Sequence, residues 1–247
     1  MSNIDQSKIQ YPIKLVKCEN SSDFKLFRDT INTYHSYVKY KDSPTRRLSF
    51  LIYETVSGNF IGSIGLTSAT LALKCRDSYI GWKNEQKMLM LNRIANNSRF
   101  CLIQKNITTL NAASMSLKLL RTEGKIQWKN KYGDDLILLE TFVLPERIEK
   151  YNDSLKRSGA CYLADNWEEI GMTEGNSIKK LPILLWKKEN TSRGKLAREN
   201  EEKCMEKYSK YVNNSKEYGY TISQSDKKLV FIRPLVKDWK KVLLSEN

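Results

Sequence analysis

Apolar side chains recur at three- and four-residue steps through Phe24, Phe27, Ile31, Tyr34 and Val38, behind Ser21-Ser22, so the pattern predicts an N-capped helix with one buried face. The period then changes. RLSFLIYETV (47–56) and FIGSIGLT (60–67) are rich in β-branched and aromatic residues, and Ser57-Gly58-Asn59 between them supplies turn chemistry, which predicts a β-hairpin. Met88, Leu91, Ile94 and Ala95 form a second helical stripe over 84–97. RFCLIQKNI (99–107) reads as a third strand and LNAASMSLKLLR (110–121) as a third helix. DDLILLETFV (134–143) is apolar almost throughout its middle, the pattern of a central strand covered on both faces. GACYLADNWEEIG (159–171) reads as a short helix leading into the strand WEEIGMTE, and KLVFIRPL (228–235) as a last strand before a closing helix, VKDWKKVL. From Lys187 to Lys228 charged and polar residues dominate, as in RGKLARENEEKCMEKYSKYV, which predicts an exposed helical or mobile insertion. The expected organisation is one α/β domain over 1–186, the basic insertion over 187–228, and a returning strand and helix of the same domain over 229–247.

Charge changes the picture most. The 247 residues carry a formal net charge of +14, and so basic a domain gains by displacing counterions from a polyanion. Nucleic acid, DNA or RNA, is therefore the expected partner. An AT-rich genome writing lysine and asparagine into an ordinary surface would give a similar composition. Five scattered cysteines without a CxxC pair, no apolar N-terminal segment and no apolar run of about 20 residues lead to the expectation of a soluble, reduced, cytoplasmic protein, with no membrane contact and no thiolate metal site. The chain carries no P-loop, HExxH or GxSxG motif, so ATP-driven strand separation would belong to another subunit, such as a helicase.

The order helix, hairpin, strand, helix, strand, short helix, strand, strand resembles the GNAT acyltransferase fold: a mixed sheet flanked by helices. The residues that carry the likeness are Tyr162, Asn166, Trp167 and Gly171, and in that fold the tyrosine often protonates the thiolate of coenzyme A. The turn where such enzymes cradle pyrophosphate on glycine N–H groups is here QKNITTLNAAS (104–114), without a glycine and with β-branched Ile107, Thr108 and Thr109. The expectation is the architecture without the cofactor: no cofactor is assigned.

Read together, YHSY (34–37), RDSYIGW (76–82), NNSRFCLI (96–103), LNAAS (110–114), LLETFVLPERI (138–148), GACYLADNWEEIG (159–171) and VFIRPL (230–235) resemble the DruA family of Druantia anti-phage defence systems, whose relatives also accompany transposable elements. The resemblance implies a cytoplasmic, DNA-associated defence component that works with other subunits. The alternative is a catalytic protein with a GNAT-like site, either a group transferase or a mobile-element nuclease or transposition protein.

Within these stretches Glu140 interrupts the most apolar strand, and an ionised carboxylate is not buried without a partner. It is either one half of an ion pair with Arg76 or Arg99, or a general base or metal ligand. Cys161 is a core residue or, if basic neighbours Lys156 and Arg157 lower its pKa, a nucleophile. His35, the single histidine, is a structural group or a base. With Tyr162 these form the candidate catalytic set, and no metal is assigned. Arg76 and Asp77, as an ion pair or a phosphate contact, Trp82 and Trp167, as core or base-stacking aromatics, and Asn97 and Arg99 form the candidate nucleic-acid set. The burial cost of Glu140 further predicts that Arg76, Asp77, Arg99, Glu140, Cys161 and Tyr162 meet in one polar cleft at the open edge of the sheet.

Overall fold

Alternating burial along the hairpin strands decides the layering. Leu48, Phe50 and Ile52 pack into one apolar cluster with Leu117, Leu120 and Trp128, while Leu51 between them packs with Phe27 and Ile31 on the opposite face. The computed structural model describes residues 11–35, 39–42, 45–145, 159–182 and 218–245, with side chains left aside at 176–182 and 218–224. By contacts the chain divides into two compact units, Met1–Met172 with Leu229–Asn247, and Thr173–Lys228.

The first unit is a seven-stranded mixed sheet flanked by helices, in the order β1-β2-β3-β4-β5-β9-β6. Its strands are β1 (Ile13–Lys17), β2 (Arg47–Glu54), β3 (Phe60–Ser68), β4 (Ile94–Leu102), β5 (Leu138–Val143), β6 (Glu168–Met172) and β9 (Leu229–Pro234). Among the described strand pairs of this sheet only β4–β5 is parallel. One face is covered by α4 (Ala112–Leu119), α5 (Lys125–Tyr132) and α6 (Ala160–Ala164). The other carries α1 (Ser21–Tyr34), and also α2 (Lys74–Ile80), α3 (Asn84–Met90) and α7 (Trp239–Leu244). The second unit holds the antiparallel pair β7 (Asn176–Pro182) and β8 (Tyr218–Gln224). Most of the expected 187–228 insertion lies outside the described residues, and its described end forms β8.

Several expectations are revised. The cap of α1 is Asn20, whose side chain accepts from Asp23 N–H at 3.0 Å, and the helix stops at Tyr34. The helical stripe over 84–97 breaks at Met90. Ile94 and Ala95 point into opposite apolar clusters as residues of β4, and Met88 is 62% exposed. The third helix does not end at Arg121. It continues through a π-helical turn, Leu120–Gly124, into α5, and at Gly124 a Cβ would sit 3.0 Å from Leu66 of β3, so glycine lets this layer lie close on the sheet.

Candidate functional site

Strands β4 and β5 pair only over Ile94–Asn96 and Leu138–Glu140, then part. On its other edge β4 carries one residue more than β3 between the pairs Gly65–Arg99 and Thr67–Asn96, a bulge that kinks it at the same level. Polar side chains collect at this parting. Because successive strand residues face opposite ways, Asn96 and Glu140 go to one face of the sheet while Asn97 and Thr141 go to the other. The single cleft expected from the sequence is therefore two clusters, and β5 lies inside the sheet, between β4 and β9, not at an open edge.

On the first face Glu140 is met by Arg76. Arg76 Nη1 donates to Glu140 Oε2 at 2.7 Å, and both side chains are fully buried. Glu140 Oε1 accepts from Thr70 N–H at 2.8 Å and Asn96 Nδ2 at 3.2 Å. Arg76 also donates to the Thr70 carbonyl and, through Nε and Nη2, to Asp77. Asp77 accepts from Trp82 Nε1 at 3.2 Å and Lys87 Nζ at 2.8 Å. Burial pushes the Asp77 carboxyl up, but Lys87 and Arg76 outweigh it and hold the group below its usual value. This network is sealed by Trp82, over which the Arg76 guanidinium lies at 5.7 Å. Its charges are spent on one another, which is what a buried ionic group needs to exist at all.

On the second face Tyr162 Oη donates to Asn97 Oδ1 at 2.9 Å, and Thr141 Oγ1 donates to the Asn97 carbonyl at 3.0 Å, in place of the strand pairing that has ended. Asn97 Nδ2 donates to the carbonyls of Gly65 and Arg99. Tyr162 stacks on Phe231 and meets Trp167 edge-on at 5.1 Å. Gly159, which starts α6, has φ +73, and a Cβ there would come within 2.5 Å of the Phe231 ring, so both conformation and space call for glycine. Burial pushes the Cys161 thiol up, with Asp165 adding to it. Its basic neighbours Lys156 and Arg157 lie outside the described residues. Arg99 is half-buried and bonds to the Ser98 carbonyl at 2.6 Å. His35 forms the C-cap of α1, its N–H donating to Ile31.

Sequence reasoning missed the part of the molecule that faces outward. The turn after α6 passes from Tyr162 to Asp165, which binds Arg121 of the π turn through two oxygens at 2.7 and 2.8 Å and accepts from Trp167 Nε1 at 3.0 Å. Asn166, at φ +56, turns its carbonyl to Arg233 Nη1 at 3.0 Å. Arg121 and Arg233 then line an open cleft of about 870 Å3 together with Lys125, Lys237, Ile126 and Trp239. The basic character of RPLVKDWKK was legible, but its meeting with Arg121 was not, because it depends on how β9 lies in the sheet.

Glu54 was also missed. Only 2% exposed, it accepts from Ser57 Oγ, from the N–H groups of Thr108 and Thr109 at 2.8 and 2.9 Å, and from Thr108 Oγ1. These bonds, led by that of Ser57, hold its carboxyl down at about 2. The backbone donors of the glycine-free turn are thus engaged by a carboxylate of the chain itself. Among the described residues no group of His, Cys, Asp and Glu is arranged to hold a metal ion, and no helix is long and apolar enough to cross a membrane.

A family model described as Druantia protein DruA matches residues 1–245 of this chain. A search of curated protein sequences finds no match. Among solved structures the chain is similar to a candidate acetyltransferase from Sphaerobacter thermophilus DSM 20745, with 8% identity over 90% of this chain and 93% of that one and a TM-score of 0.38.

Proposed function

Since the chain belongs to the DruA family of Druantia proteins, we propose that it acts in anti-phage defence as a cytoplasmic component that holds nucleic acid, DNA in the first instance, alongside other subunits of the system. The observation that carries the nucleic-acid part is the distribution of charge. The net charge is +14, and among the described residues the cleft between the π turn and the end of β9 is lined by four cationic side chains and no carboxylate. Lysine and arginine so placed gain by releasing counterions from phosphates. The internal bonding of the Arg76 and Tyr162 clusters supports the same division of labour. Those groups hold the sheet together where β4 and β5 part, and the exposed cations meet the partner.

Gel shifts of the whole chain at rising salt test this reading. The expected result is binding at low salt that falls steeply, with a logarithmic slope of about −0.9 per phosphate contacted on duplex and about −0.7 on single strands. Absence of binding at low salt, or retention insensitive to salt, overturns it. Any ATP-driven strand separation would belong to another subunit, such as a helicase, because this sequence carries no P-loop of its own, and co-purification with the products of neighbouring genes checks that part.

A further inference from the structure

The basic cleft holds more positive charge than the protein neutralises. Arg121 is matched by Asp165, but Arg233 stands beside Arg121 and, among the described residues, has only the Asn166 carbonyl on its Nη1. Arg233 Nε is buried and finds no hydrogen-bond partner among the described residues. Burial pushes the Arg233 guanidinium pKa down and the charge of Arg121 pushes it the same way, while Asp165 offsets part of this. Lys125 and Lys237 add two further charges at the rim. Two guanidinium groups set beside each other favour an oxyanion on their accessible N–H groups. Another recess among the described residues, about 490 Å3 beside β1 and β2, differs in that its Lys17 is matched by Glu19 at 2.8 Å.

The other half of the lining is apolar. Ile126 is 53% exposed, and Trp239 forms part of the wall, with its ring held parallel to Tyr79 at 6.1 Å and 8°. Lys240 Nζ lies 4.0 Å from the Tyr79 ring centroid and 5.4 Å from that of Trp239, a further cation at this wall. An indole in the wall of a cleft that two guanidinium groups also line offers a surface for a planar base near a site for its phosphate. Duplex DNA keeps its bases stacked inside and presents phosphates along a convex surface. Only an unpaired base can lie on the indole while its phosphate enters the recess.

We propose that the cleft between the π turn and the end of β9 binds a phosphodiester of single-stranded nucleic acid on Arg121 and Arg233, with a neighbouring base packed against Trp239 and Ile126. This site rests on the reading that the chain associates with nucleic acid, and it specifies the form of the ligand and the place where it binds.

Fluorescence anisotropy of the full chain with a labelled oligothymidylate, and separately with a duplex of equal length, tests it. Lys125→Gln with Lys237→Gln is compared with Lys14→Gln with Lys105→Gln, which removes the same charge from exposed positions on β1 and on the turn after β4. The cleft pair is expected to lower single-strand affinity about tenfold, and the control pair no more than about twofold. Trp239→Leu is expected to cost a further loss of about fivefold on the single strand, from the lost stacking, and to leave duplex binding unchanged. Thermal denaturation run in parallel establishes that each variant is folded, and if Trp239→Leu is not, the lysine pairs decide. Equal losses in the two lysine pairs would reduce the cleft to part of a diffuse field. Equal losses on strand and duplex for Trp239→Leu would remove the base from the site. Competition by thymidine monophosphate as strong as by the oligonucleotide would make it a mononucleotide site and overturn the proposal. If the unaltered chain binds neither probe at low salt, it is the nucleic-acid reading itself that fails.

Discussion

Replacing Glu140 by Gln keeps the shape of the side chain and removes its charge, and the surroundings state what that costs. Oε1 accepts from Thr70 N–H and Asn96, and Oε2 accepts from Arg76. An amide has one oxygen, so one of these positions becomes an N–H2 group facing a donor. Breaking a fully buried ion pair by removing one partner costs about 3–5 kcal/mol. Arg76 keeps Asp77 through Nε and Nη2, which places the expected loss at the lower end, about 3 kcal/mol. That is a large share of the roughly 5–15 kcal/mol by which a domain is stable. For a chain of this size it lowers the melting temperature by about 6–12 °C. Urea unfolding and thermal denaturation followed by circular dichroism measure it. The double variant Arg76→Met with Glu140→Leu is expected to recover much of the loss, since a buried pair exchanged for well-packed apolar groups is often neutral, and Asp77 retains Lys87 and Trp82. A loss below about 1 kcal/mol for Glu140→Gln, the scale of one ordinary hydrogen bond, would refute the reasoning. A variant of normal stability that no longer protects against phage would turn Glu140 from a structural residue into a working one.

Three further outcomes are expected. Tyr162→Phe removes the hydroxyl that donates to Asn97, so stability should fall by about 1 kcal/mol with phage protection kept; unchanged stability with lost protection would make the hydroxyl a chemical group. The Glu54 carboxyl is held at about 2 in the folded chain against an ordinary 4.5, so its contribution is present above 4.5 and lost as pH falls from there toward 2. Glu54→Gln should therefore flatten the decline of the urea midpoint across that window. Because Thr108 and Thr109 N–H are engaged by Glu54, calorimetry should find no micromolar binding of acetyl-coenzyme A to the unaltered protein, and finding it would restore the acyl-transfer alternative.

Local chemistry made much of the fold legible. The β2–β3 hairpin follows from β-branched strands around Ser57-Gly58-Asn59, and α1 follows from the spacing of Phe24, Phe27 and Ile31, because neighbours along the chain supply those signals. β1 was missed because five residues give too short a pattern. The stripe through Ile94 and Ala95 was misread because both are buried, one on each face of the sheet, and burial on two faces looks the same for a strand as for a helix.

The sequence by itself determined that this chain is a basic α/β protein of the DruA pattern, and that an ionised Glu140 in an apolar strand must find a cation. Both follow from composition, order along the chain and the cost of desolvating a charge. Which cation it finds was decided by the tertiary structure: α2 brings Arg76 over β5, while Arg99, next to the bulge of β4, bonds locally. Strand parity then divided Asn96 and Glu140 from Asn97 and Thr141. The basic cleft exists only because β9 pairs with both β5 and β6, which brings Arg233 to Asn166 and beside Arg121. Such a meeting depends on packing between segments far apart in the chain, and no local pattern of residues encodes it.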